Sequence, residues 1–183
     1  MLLVSIPPLV MSLALLLLAA RTGWFPAGGL SIETDAPLVD RLLETLRSLI
    51  LPALALALPI AASVERLQAA AVSDALREPC IRAALARGIP ETRAIWNHAF
   101  RLSLKPVLAI FGIIVGTVLS GSLVVEVVMQ WPGVGGLMYE ALRSRDLHLA
   151  GGCAAAASVF LAIGVLLSDI GLAVVDPRVR SAE

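Results

Sequence analysis

Residues 106–125 read PVLAIFGIIVGTVLSGSLVV, twenty positions without a charged side chain. A helix needs about 20 apolar residues to cross the hydrocarbon core of a bilayer, within a working range of about 17–25. Working outward, three more uncharged runs reach or approach that length: residues 1–20, 48–64 and 147–168, the last staying apolar past Asp169 to Val175. The run at 48–64 contains Pro52 and Pro59, which a packed helix tolerates when neighbouring groups satisfy the freed carbonyls. Its helical pattern continues beyond Glu65 through 67–76, so this helix is expected to extend out of the lipid. The sequence therefore predicts a single all-α, polytopic membrane domain, with four transmembrane helices at about 1–20, 48–70, 106–127 and 149–175.

Composition points the same way. Of 183 residues, 58% are hydrophobic and 15% charged, with a mean hydropathy of +0.90; a soluble domain carries about 25% charged residues. The formal charge is zero, so the basic excess that attracts nucleic acid is missing and lipid is the expected surrounding. Cys80 and Cys153 are too few for a disulfide framework or a metal site. No nucleophile–base pair, metal-ligand spacing or G-x-x-x-x-G-K-[ST] phosphate loop is present, so neither enzyme chemistry nor a resident cofactor is expected. The first run has no Lys or Arg ahead of it and carries Pro7-Pro8, which reads as a span rather than a signal peptide.

Orientation follows from the basic residues between the runs. Arg66, Arg77, Arg82, Arg87, Arg93, Arg101 and Lys105 fall within 65–105, and Arg178 and Arg180 in the tail. An even number of spans puts both termini on one side, and that side collects nine basic residues against five in 21–47 and 126–146. The expectation is N-in and C-in, with 65–105 cytoplasmic.

That loop, about 79–105, is the most informative stretch. Pro79 stops the preceding helix, and Cys80-Ile81-Arg82-Ala83-Ala84-Leu85-Ala86-Arg87-Gly88 follows. Ile81, Ala84 and Leu85 share one face of a short helix, Arg82 and Arg87 lie off it, and Gly88 suits a left-handed C-terminal cap. Pro90 and Glu91 fit the start of a second helix with a stripe of Ile95, Ala99 and Leu102. Two amphipathic helices joined at a glycine must cover their apolar faces. Periodicity allows a fold back onto the membrane or the bundle, and equally a docking site for a partner.

Arg82-Ala83-Ala84, followed after three residues by Gly88, resembles the cytoplasmic EAA loop of ABC-transporter permeases in the dipeptide/oligopeptide/nickel importer subfamily. The likeness runs on through His98-Ala99-Phe100-Arg101 to Pro106. Gly23-Trp24-Phe25-Pro26-Ala27-Gly28-Gly29, Leu51-Pro52-Ala53-Leu54, Glu126 with Trp131-Pro132-Gly133-Val134-Gly135, and Asp176-Pro177-Arg178-Val179-Arg180 resemble further segments of the same subfamily, in order. Arg82 stands where an acidic or polar residue is usual, and Cys80 and Leu85 where an aromatic and a basic residue are more usual. Such permeases have six spans, and this chain resembles the last four. It therefore reads as N-terminally truncated through a misplaced start, as a fragment, or as completed by another chain.

The resemblance implies a permease subunit of an ATP-driven importer, with peptides the expected cargo; the alternatives are an inert truncated remnant of such a permease and, with less support, a secondary transporter that runs without ATP. It implies as partners two cytoplasmic ATPase subunits that bind the ATP, a second permease subunit and an extracytoplasmic solute-binding protein. Ile81, Ala84 and Leu85 would pack in a groove on an ATPase, small Ala83 and Ala84 would allow backbones to approach, Arg82 and Arg87 would pair with its acidic rim, and Gly88 would permit the turn. Glu126, Trp131, Gly133 and Gly135 are pathway or outer-loop candidates, Glu126 being either an interfacial carboxylate reaching water or part of the path. Residues 137–142 could form a short helix that meets the binding protein, a minority reading of the outer loop.

Overall fold

A computed structural model describes residues 6–26, 28–29 and 37–175. Helices occupy nearly all of this: α1 (Pro8–Thr22), α2 (Leu38–Leu76), α3 (Pro79–Ala86), α4 (Glu91–Ala94), a π-helical turn (Ile95–Ala99), α5 (Phe100–Ala109), α6 (Phe111–Met129), α7 (Val134–Ser144) and α8 (Leu147–Val175). There is no strand among the described residues. The architecture is all-α, that of a polytopic membrane protein. Among the described residues three helices (α2, α6 and α8) are long and apolar enough to span a bilayer, and α1 is a shorter apolar helix of 15 residues. At 1.5 Å per residue α1 covers roughly 22 Å of a core about 30 Å thick. Residues 1–5, the start of the run expected to span, lie outside the described residues, as does the segment 176–180.

The long helices end where local chemistry ends them. α2 begins at Leu38, ten residues ahead of its uncharged run, and its 39 residues carry Pro52 and Pro59 internally. Its length, roughly 58 Å, exceeds any bilayer core, so part of it must leave the lipid. Pro106 falls inside α5 rather than opening the next helix, and the hitch comes at Ile110, with φ −93° and ψ −1°. The π turn has a visible consequence. Ala94 and Ala99, five residues apart, are both fully buried, whereas in a regular α-helix such positions diverge by about 140°. The inward stripe is therefore Ala94, Ala99 and Ser103, with Ile95 and Leu102 at its margin, which corrects the expected Ile95–Ala99–Leu102 line.

The chain divides into two compact units, residues 1–61 with 116–160 and residues 62–115 with 161–183, and α2, α6 and α8 each contribute to both. In the first unit the core is Met11, Ala19, Leu51, Ala55, Val125 and Met129, with Leu15, Leu16 and Leu56 packed against it. α1 ends on Gly23 in a left-handed conformation (φ +67°), whose N–H closes onto the Ala19 carbonyl at 2.8 Å. In the second unit α8 lies against α5 and α6 through small residues. A Cβ on Gly164 would sit 2.6 Å from Val115 Cγ1, and one on Gly112 would sit 3.0 Å from Val165 Cγ2. Glycine and valine thus interlock reciprocally, as small residues do where helices approach closely in a membrane. Below that contact the Ser168 hydroxyl donates to the Leu108 carbonyl.

Candidate functional site

Two groups of residues singled out by sequence are each gathered in one place. The first is the loop after α2. Pro79 opens α3, its missing N–H costing nothing at a helix start, and Gly88 ends it with φ +81°. The Gly88 N–H donates to the Leu85 carbonyl at 2.9 Å and the Ile89 N–H to the Ala84 carbonyl at 3.3 Å, the paired bonds of a Schellman cap. Ile81 is 0% exposed and packs with Ala75, Ala94 and Ala99, while Leu76, Ile89 and Leu102 close the cluster. The apolar face of α3 is therefore covered by the chain's own α2, α4 and α5. This corrects the expectation that Ile81 lies in a partner's groove: it is an internal anchor, because an amphipathic period shows which side is apolar and not what covers it.

What α3 leaves outward is different. Arg82, Ala83, Ala86 and Arg87 are exposed, Leu85 is at the edge at 39%, and Ala84 is half-buried. The outer face is thus a flat pair of alanines with a guanidinium on either side. Ala86 was not singled out by periodicity, though its 100° step from Leu85 turns it to the same side as Ala83. Helical periodicity does not mark Trp96 either. It is 68% exposed and packs against Phe100 with the rings tilted at 50° and their centroids 5.4 Å apart, and a tryptophan inside a basic loop was the available signal. Deeper in the same unit the Gln68 amide donates to the Ser103 hydroxyl at 2.7 Å, which donates to the Phe100 carbonyl at 2.8 Å, tying α2 to α5.

The second group is Glu126, Trp131, Gly133 and Gly135, all at the junction of α6 and α7. The Glu126 carboxylate accepts the Gly136 N–H at 2.8 Å, and the Glu126 carbonyl accepts the Trp131 N–H at 2.9 Å. Gly133 precedes α7, and Gly135 lies against the α6 backbone at Leu123. Residues 137–142, which the sequence allowed as a short helix, lie within α7, which is longer at both ends. A cavity of about 740 Å³ lies beside it, lined by Gln130, Trp131, Tyr139, Glu140 and Arg143 along with Glu126. α7 ends on Arg145 (φ +58°) in a second Schellman cap, the Asp146 N–H reaching the Ala141 carbonyl at 2.9 Å. Asp146 then caps α8, its carboxylate accepting the N–H groups of His148 and Leu149 at 3.0 Å each. No cluster of metal-ligating side chains occurs among the described residues.

Comparison with known proteins matches residues 1–181 to the family described as binding-protein-dependent transport system inner membrane component. The oligopeptide transport system permease protein AppB of Bacillus subtilis is 35% identical over 91% of this chain and 52% of its own length. The di/tripeptide transport system permease protein DppB of Pseudomonas aeruginosa is 31% identical over 91% of this chain and 54% of its own. The chain thus spans about half the length of these curated relatives.

Proposed function

The chain belongs to the family of binding-protein-dependent transport inner-membrane components and is a multi-pass inner-membrane protein; from that premise we propose that it forms part of the permease subunit of an ATP-driven peptide importer. α3 is the coupling element. One observation carries this: its inner face is closed by Ala75, Ala94 and Ala99, while its outer face offers Ala83 and Ala86 between Arg82 and Arg87. A helix locked from behind moves with α2, α4 and α5, so a push on its outer face reaches the spans rather than dissipating in a loose loop. Ala83 and Ala86 allow close approach of a partner's backbone, and the two arginines suit an acidic rim. ATP would be bound by two partner ATPase subunits. A second permease subunit would complete the path, and an extracytoplasmic binding protein would deliver the peptide. The loop would face the cytoplasm, with both termini on that side.

The test is co-purification of the ATPase with a complete permease carrying Gly88→Asp. A Cβ at Gly88 meets nothing within 4 Å in the chain itself, so the substitution strains one residue and projects a carboxylate beside the docking face. Loss of the ATPase from a permease that still folds is the expected result. Undiminished recovery of the ATPase would refute docking through α3.

A further inference from the structure

The Glu126 carboxylate is used inside the chain. α6 ends one turn beyond it, and Gln130 takes a left-handed φ of +53° that turns the backbone toward α7. Glu126 holds both sides of this corner, its carbonyl taking the Trp131 N–H and its carboxylate the Gly136 N–H. Gly136 is the third residue of α7, and its N–H is one of the four that a helix leaves open at its start. The usual partner is a side chain on the residue just before the helix, and here that residue is Gly133, which has none. The backbone does not demand glycine there: φ −141° and ψ 178° are extended values that any residue adopts. Space opposes a side chain there for as long as the Glu126 carboxylate stays on the Gly136 N–H, because a Cβ on Gly133 would fall into that carboxylate. A Cβ on Gly135 would sit 2.5 Å from Leu123 Cα. The missing cap at 133 and the carboxylate at 126 are two halves of one joint.

We propose that Glu126 is a positioning residue that caps α7 from α6 and fixes the angle at which α7 presents Tyr139, Glu140 and Arg143 to the adjoining cavity. Its negative charge also complements the positive end of the α7 dipole. The joint is a property of this chain alone; only its consequence for transport rests on the permease reading.

Reciprocal rescue tests it, by amide exchange on the purified chain in lipid nanodiscs. Glu126→Ala frees the Gly136 N–H, and its exchange rises about tenfold or more, the scale of a lost bond to a charged acceptor. Gly133→Ser alone drives its Cβ into the carboxylate and displaces it from the Gly136 N–H. The double variant Glu126→Ala/Gly133→Ser removes the clash and supplies a local hydroxyl cap, so exchange returns to within about threefold of the parent. Glu126→Gln keeps an acceptor at the same reach and stays close to the parent, whereas the shorter Glu126→Asp exchanges as fast as Glu126→Ala. Unchanged exchange in Glu126→Ala, or a double variant worse than both singles, overturns the joint. If Glu126→Ala does not fold, equal behaviour of the Gln and Asp variants overturns it instead. Peptide uptake by the assembled importer is read separately: loss in Glu126→Ala and recovery in the double variant support the transport consequence. Unaffected uptake beside the expected exchange pattern refutes that consequence.

Discussion

Gly88 and Ile81 lie seven residues apart and fail differently when changed. Gly88 is required by its φ of +81° alone, with open space where a Cβ would go. Gly88→Ala should therefore cost about 1–2 kcal/mol of strain, and Gly88→Asn less, because asparagine tolerates the left-handed region. Thermal unfolding in detergent would check the order Gly, Asn, Ala. Ile81 has no such freedom, being fully enclosed by Ala75, Ala94 and Ala99. Ile81→Ala should cost about 2–5 kcal/mol through lost burial and the cavity left behind. Leu85→Ser, at the exposed edge, should cost under about 1 kcal/mol, as surface changes do. If α3 is a lever, Leu85→Ser weakens ATPase recovery at unchanged stability, while Ile81→Ala weakens both together. Equal stability losses at 81 and 85 would contradict the inward placement of Ile81. The Gly88 turn was legible because its signals are local: a proline, an apolar triad and a glycine within ten residues. The direction of Ile81 was not, since its neighbours come from 75, 94 and 99.

At the scale of elements, what sequence conveys depends on how far a contact reaches. Uncharged runs announce α6 and α8, because hydropathy is a property of the segment itself. The π turn at Ile95–Ala99 has no such signature, and it shifts the buried stripe by inserting one residue into a turn. The Glu126 cap was equally hidden, for its donor lies ten residues away across a corner, although the close spacing of Gly133, Gly135 and Gly136 hinted at a tight approach. Asp146 before an apolar helix was a readable cap signal of the ordinary kind. The α6–α8 interlock can be tested against an internal control. Gly164→Ala puts a methyl group 2.6 Å from Val115 Cγ1, and β-branched valine has little freedom to move aside. A loss of about 1–3 kcal/mol is expected from such overpacking. Gly151, on the same helix, has nothing within 4 Å of its would-be Cβ. Gly151→Ala should be neutral or stabilising by up to about 1 kcal/mol, through helix propensity. Guanidinium or thermal unfolding of the two variants side by side decides it; equal effects would mean that α8 does not pack on α6 through Gly164.

For the whole molecule the open quantity is direction across the membrane, and the chain carries its own reporter. Its two cysteines differ sharply in access: Cys80, at the start of α3, is exposed, and Cys153, in α8, is 4% exposed. A membrane-impermeant maleimide should therefore react at Cys80 and leave Cys153 alone, without any engineered site. Counting the basic residues of 65–105 leads to the expectation that Cys80 faces the cytoplasm, since moving so many guanidinium groups outward opposes the rule that sets insertion. With the chain expressed in cells lacking a matching ATPase, intact cells should show no labelling and inside-out vesicles should label at Cys80. Labelling on intact cells would reverse the orientation and remove α3 from any cytoplasmic motor. A second arm uses the same thiol. Cys80 opens the helix whose outer face carries Arg82, Ala83, Ala86 and Arg87, so an ATPase seated there should slow its reaction in inside-out vesicles. Protection that appears with the ATPase and vanishes in Gly88→Asp joins residue, element and membrane side in one measurement. Full reactivity of Cys80 in an assembled, ATP-hydrolysing complex would place the motor elsewhere on the protein.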